Sequence, residues 1–289
     1  MCAFFGNRYG NLTKSEETPL DPGEKYLRDF KTTEEELTVL LKDVSKVCRG
    51  DGDFRFPSIS FIAYIDNETG EVIQDRGMLC WVIPNFSGDY IHEFEDYGIC
   101  RVLVRRCRPD AVNYAGHPYK NRYHLVKILE KEVAEPRLET IRREYLKPVV
   151  IEDEAGTFNL DRRYNFFEGQ IDWLGSSQKI CLDKDPDGDT AENAFRTLRL
   201  FLSDVEKWDR SLRDYAARQL TDLANDWRQE DVPQITEQEF ARRIGTPSIH
   251  IDERGGFEAE YEDDDMFYGH WIVVYGDENG ELKRANIEG

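Results

Sequence analysis

The stretch from Thr190 to about Gln229 limits this chain's fold more than any other. Phe195, Leu198, Phe201 and Leu202 recur at helical spacing in its first part. Trp208, Leu212, Tyr215, Ala216, Leu220, Leu223 and Trp227 do so in its second. Ser203 followed by Glu206 reads as a capping box, so two helices are expected rather than one. Short apolar runs bounded by turn residues flank this block on both sides. Upstream lie GTFNLDRR (156–163), NFFEGQIDW (165–173) and QKICLD (178–183). Downstream lie SIHID (248–252), GFEAEY (256–261), HWIVVYG (270–276) and ELKRANI (281–287), and Thr236 with Glu239 caps a short third helix before them. Asn279-Gly280 and Gly255-Gly256 read as hairpin turns. Strands and helices come in blocks rather than in alternation. That excludes a doubly wound parallel sheet and gives an α+β unit, a helical pair followed by a four-strand antiparallel meander.

Residues 1–150 read as another α+β domain, also built on an antiparallel sheet, and 151–289 as the unit just described, in keeping with 289 residues. Residues 1–32 read as an irregular leader broken by Pro19, Pro22 and Gly23. Thr33 with Glu36 reads as a capping box opening a helix on Leu37, Leu40, Leu41, Val44 and Val47, ended by Gly50-Asp51-Gly52. PSISFIAYI (57–65) and EVIQDRGMLCWVI (71–83) flank an Asn67-Glu68-Thr69-Gly70 turn. ICRVLVRRC (99–107) and YHLVKILEKEV (123–133) add strands, and PRLETIRREYL (136–146) a short helix.

Lys and Arg number 38 against 58 Asp and Glu, a net charge of −20. Phosphate contacts need clustered cations, so nucleic acid and anionic membranes are disfavoured as main partners. Such a surface attracts basic proteins or cations. No apolar run approaches the ~18–20 residues of a membrane span. The N-terminus lacks the pattern of a secretory signal, which makes the expected location cytoplasmic. The six cysteines form no C-x-x-C and sit at no zinc spacing. They read as reduced core thiols.

Two acidic clusters are the candidate metal sites. Asp183, Asp185, Asp187 and Asp189, with Gly188, fit the first half of a calcium loop. The twelfth position is Ala194 where a bidentate Glu belongs, so no cofactor is expected and the pattern leaves room only for weak calcium binding through a shortened loop, with Glu192 as an extra ligand. The plainer reading makes Asp189 the cap of the next helix, with Glu192 completing a capping box. The second cluster is Glu258, Glu260, Glu262, Asp263, Asp264, Asp265 and His270. Within it Glu260, Glu262, Asp265 and His270 form a candidate site, and a solvated strand face with an acidic turn is the plainer reading. No G-x-S-x-G, phosphate loop or dinucleotide fingerprint occurs. Arg101, Arg105, Arg106, Arg108, Lys120 and Arg122 make a local basic patch.

Three segments carry a family resemblance: Phe167-Glu-Gly-Gln-Ile-Asp-Trp-Leu-Gly175 with Leu182-Asp183, Leu223-Ala-Asn-Asp-Trp227, and Asp265-Met-Phe-Tyr-Gly-His270. With them the region from about Gly156 onward resembles an uncharacterised bacterial family of unknown function, the twenty-two sixty-two family. The upstream half resembles its usual N-terminal partner domain. The resemblance implies a bacterial source and a two-domain layout, and brings no catalytic residues. A looser likeness to immunity proteins agrees with the acidic charge. The expected function is a non-enzymatic protein-binding module, an immunity-type inhibitor of a basic protein. The alternative is a divalent-metal-dependent enzyme or metal-regulated domain using the acidic clusters.

Overall fold

The computed structural model describes residues 21–42, 44, 48–84, 94–112 and 116–289. The chain divides into two units, Met1–Leu146 and Lys147–Gly289. Most of the expected leader, together with Val47, His92 and Cys2, lies outside the described residues.

In the first unit the elements are α1 (Pro22–Leu27), β1 (Glu35–Leu41), β2 (Cys48–Asp51), β3 (Phe54–Asp66), β4 (Val72–Ile73), β5 (Gly77–Cys80), β6 (Ile99–Arg106), β7 (Arg122–Glu130) and α2 (Pro136–Tyr145). Strand pairing closes a ring: β1 with β6, β6 with β7, β7 with β5, β5 with β3, and β3 with β1. The β5–β7 pairing is parallel, so the sheet is mixed rather than wholly antiparallel. Closure gives each of these five strands an inner face, as in small filled barrels. Leu37, Val39, Leu41, Phe61, Val102 and Tyr123 fill the interior. Leu40, Ile62, Ile65 and Ile99 face outward and are covered by Leu138 of α2.

This arrangement overturns the helix expected from Thr33. Residues 35–41 are β1, with Leu37 to Leu41 all buried. A strand covered on both faces has no polar side. Its continuous apolar run also contains the i, i+3, i+4 positions of a helix. Gly50-Asp51-Gly52 is therefore no helix stop; it belongs to the β2–β3 hairpin, with Gly52 at φ +55°. Pro22 and Gly23, expected as breakers, lie in the first turn of α1. Pro is favoured there because its missing N–H would be unpaired anyway, and the Asp21 side chain accepts from the Glu24 N–H at 2.8 Å.

The second unit holds β8 (Val150–Asp153), β9 (Gly156–Asp161), β10 (Phe166–Trp173), β11 (Ser176–Asp183), α3 (Glu192–Leu202), α4 (Val205–Trp227), α5 (Glu237–Arg243), β12 (Ser248–Ile251), β13 (Phe257–Tyr261), β14 (Trp271–Gly276) and β15 (Leu282–Glu288). One eight-stranded sheet runs from β8 to β15 in sequence order. Only β11 and β12 pair in parallel, because the three helices intervene between them. β12 to β15 form the expected meander. Inward residues alternate along each strand, among them Phe167, Ile171 and Trp173 on β10. They pack under Phe195, Leu198, Phe201, Leu212 and Leu220 of the helices.

The helix break falls where expected, but Asp204 makes the cap, accepting from the Lys207 N–H at 3.1 Å. The Ser203 hydroxyl donates back to Leu200 instead. Thr236 and Glu239 do form a reciprocal capping box. The β14–β15 turn is longer than Asn279-Gly280 alone: the Asp277 carboxylate accepts from the N–H groups of Asn279 and Glu281, both at 3.0 Å. β8 was not anticipated.

Candidate functional site

The aspartates of the calcium-like loop go separate ways. Asp185 accepts from the Thr190 hydroxyl at 2.7 Å and the Glu192 N–H at 2.9 Å. It thus caps α3 from seven residues upstream, and Asp189 does not. Asp189 pairs with Arg162 at 3.3 Å and lies 3.7 Å from the Lys184 ammonium. That ammonium donates to the Asp185 carbonyl at 3.0 Å and to the Gly188 carbonyl. The loop is closed around a cation of its own. Asp183 turns to the sheet, 2.8 Å from Nε2 of His250, and Asp187 is exposed.

The second acidic cluster is also dispersed. Glu258 and Glu260 stand on β13, opposite the core-facing Phe257, Ala259 and Tyr261. Glu262 is exposed beyond the strand. Asp263 is buried and accepts the N–H groups of Phe267 at 2.6 Å, Gly269 at 3.0 Å and Asp265 at 3.2 Å. Asp264 pairs with Arg243 at 2.6 Å. Asp264, Asp265 and Tyr268 all take left-handed backbone angles, a conformation the Asp263 carboxylate holds in place. His270 bonds through Nδ1 to the Phe267 carbonyl at 2.6 Å and stands edge-on to Trp227. Among the described residues, no three or more His, Cys, Asp or Glu side chains are grouped to hold a metal ion.

The sheet itself carries the arrangement that sequence reading missed. All three helices pack on one face. The helix-free face presents Glu168 and Asp172 from β10, Lys179, Cys181 and Asp183 from β11, His250 from β12, Glu258 and Glu260 from β13, and Arg284 and Glu288 from β15. Parallel pairing sets Cys181 opposite His250, and the antiparallel pair sets Glu258 on its other side. The Asp183 carboxylate raises the pKa of His250 by its hydrogen bond, and burial raises that of Glu258. Burial pushes the Cys181 thiol up to about 11, so it is no ready nucleophile. Aromatic side chains flank the acidic centre. Tyr164 and Phe166 stack at 5.7 Å, with Phe166 6.3 Å from the His250 ring. At the other end Trp271 is exposed, and Arg284 lies 3.9 Å over the Tyr275 ring. This unit has 17 basic against 33 acidic side chains, net −16 of the chain's −20.

The basic patch of the first unit is largely neutralised in place. Arg101, Arg105, Arg106, Arg108 and Arg122 pair with Glu130, Glu34, Glu35, Asp110 and Asp29 at 2.7–3.0 Å.

Residues 152–287 match the family model DUF2262, described as an uncharacterised protein conserved in bacteria. That match spans nearly the whole of the second unit. The segments that carried the resemblance do structural work in it. Trp173 is fully buried, its indole N–H donating to Asp209 at 3.0 Å. A Cβ on Gly169 would meet the Phe158 ring at 2.5 Å. Trp227 packs against Phe267, Tyr268 and His270, which joins the second segment to the third. A separate match, over residues 23–145, is to a domain of unknown function, DUF7021. No curated protein and no solved structure matches the chain.

Proposed function

We propose that this chain is a cytoplasmic, non-enzymatic binding protein, an immunity-type inhibitor that captures a basic protein on the helix-free sheet face of its second unit. The observation that carries the reading is the composition of that face. A central group of carboxylates (Asp183, Glu258, Glu260) is flanked by aromatic side chains at both ends. Aromatic anchors around a charged centre suit a protein partner, since buried aromatics carry much interface energy. Opposite charge steers the encounter. None of the helices, among the described residues, is long and apolar enough to cross a bilayer. Against a cation in the Asp183–Asp189 loop stands the Lys184 ammonium, which already donates to the Asp185 and Gly188 carbonyls.

The test is capture of a partner from a bacterial lysate at low and high salt, followed by rebinding of the purified partner. A basic protein that rebinds the wild-type chain, and binds the Glu258→Lys/Glu260→Lys variant at least tenfold more weakly, supports the reading. A partner that binds both chains equally contradicts it.

A further inference from the structure

We infer that the β8 edge of the eight-stranded sheet is a strand-addition site for an extended segment in which basic and apolar residues alternate. The inference rests on the basic-partner reading and specifies a second contact for it. Among the described residues β8 ends the sheet, with β9 its one strand partner. The Leu160 N–H bonds to the Val149 carbonyl at 2.9 Å, and Ile151 opposes Phe158 two residues on. Antiparallel alternation therefore turns the backbone groups of Ile151 and Asp153 toward β9, and those of Val150 and Glu152 outward. An added strand meets those outward N–H and C=O groups.

What lies beside this edge decides what such a strand would carry. A groove of about 520 Å³ opens between β8 and α3, floored by Ile151, Ala191 and Phe195. Inward residues of an added strand would enter it. On the other face stand Val150, an exposed apolar side chain, and Glu152. Asp153, Glu154 and Glu192 add acid around the strand, although Arg199 pairs with Asp153 at 2.6 Å and Arg196 also lines the groove. A basic side chain opposite Glu152, between two apolar ones, meets both demands. The opposite edge suits this segment less. β15 carries Lys283 and Arg284, the kind of charge that guards an edge. The groove beside it is lined by Lys207 and Arg218, with Asp214 its one acidic side chain.

The experiment titrates full-length chain with the fluorescein-labelled peptide Lys-Val-Lys-Val-Lys-Val-Lys, acetylated and amidated, at low salt. A scrambled peptide of the same composition, with its lysines and valines in separate blocks, is the comparison. Glu152→Pro removes one outward N–H while leaving the β8–β9 bonds, because proline is tolerated where an edge N–H faces solvent, and its binding is read against Glu152→Gln, which loses the same charge and keeps the N–H. Circular dichroism confirms that the variant folds. The expected result is saturable binding of the alternating peptide, at least tenfold weaker both for the scrambled peptide and for Glu152→Pro. Equal, salt-sensitive binding of both peptides, unchanged in Glu152→Pro, would overturn strand addition and leave the acidic-face reading standing. Binding of neither peptide to wild type would overturn the strand site and also count against a basic partner.

Discussion

Replacing Asp209 by Ala removes the carboxylate that ties three elements of the second unit together. It accepts from the Trp173 indole at 3.0 Å on β10 and from Arg213 Nε at 2.7 Å on α4. Arg213 in turn donates to the carbonyls of Ala241, at 3.2 Å, and Ile244 at the end of α5. Loss of an acceptor for a buried N–H costs about 1–3 kcal/mol. Breaking a buried ion pair from one side costs about 3–5 kcal/mol. The two losses share one carboxylate and do not sum. Arg213 keeps its carbonyl partners and is 18% exposed, which favours the low end. Alanine returns roughly 0.5 kcal/mol in helix propensity. The expected net loss is about 3 kcal/mol. A unit of ~140 residues has an unfolding entropy near 0.3 kcal/mol/K, so its Tm falls by about 10 °C. Urea unfolding followed by tryptophan fluorescence should show a lower midpoint at unchanged slope. Trp173→Phe removes the same N–H from the other side, so the double-mutant cycle should return about 1–2 kcal/mol of coupling. A Tm change under about 3 °C, or coupling below about 0.3 kcal/mol, would refute this account of the network.

Three further outcomes follow from the geometry. Asp263→Ala leaves three loop N–H groups without their acceptor, and should cost about 3 kcal/mol and shift the Trp227 emission, because Phe267, Tyr268 and His270 pack on that ring; an unchanged spectrum contradicts it. The pKa of His250 is raised by Asp183, so its stabilisation is complete below the ordinary histidine value and is lost as pH rises through the folded value. A pH series of melting curves should show that loss in wild type and a smaller one in His250→Gln; identical profiles would sink the assignment. Calcium at millimolar concentration should leave the wild-type Tm unchanged because Lys184 occupies the loop, whereas ligand at ~100-fold its Kd would add about 2.7 kcal/mol, roughly 9 °C. A rise of that size, abolished by Asp187→Asn, would restore the loop as a calcium site.

Local signals were legible in the sequence, and long-range ones were not. The Thr236–Glu239 box, the α3–α4 break and the β12–β15 meander each depend on residues a few positions apart. β1 misled because a strand buried on both faces satisfies helical and strand periods alike. Only closure of the barrel by the β1–β3 and β1–β6 pairings settles which one holds. The calcium-like spacing of Asp183 to Asp189 was real as a pattern, but Lys184 folded back into the loop it belongs to. His250 and Asp183 are 67 residues apart and meet through a parallel pairing that no local pattern encodes. The concentration of charge on the second unit could have been counted from the sequence. Its display on one sheet face could not.

The most direct test of the acidic capture surface is the association rate of the captured basic protein, measured by stopped flow across ionic strength. Exposed charges are screened beyond about 8–10 Å at physiological salt, and steering raises on-rates by ~10–10³. The rate should fall at least tenfold between low and high salt for wild type, and should be slow and nearly flat for Glu258→Lys/Glu260→Lys. A rate indifferent to salt, or identical in the two proteins, would contradict the claim that this face receives the partner.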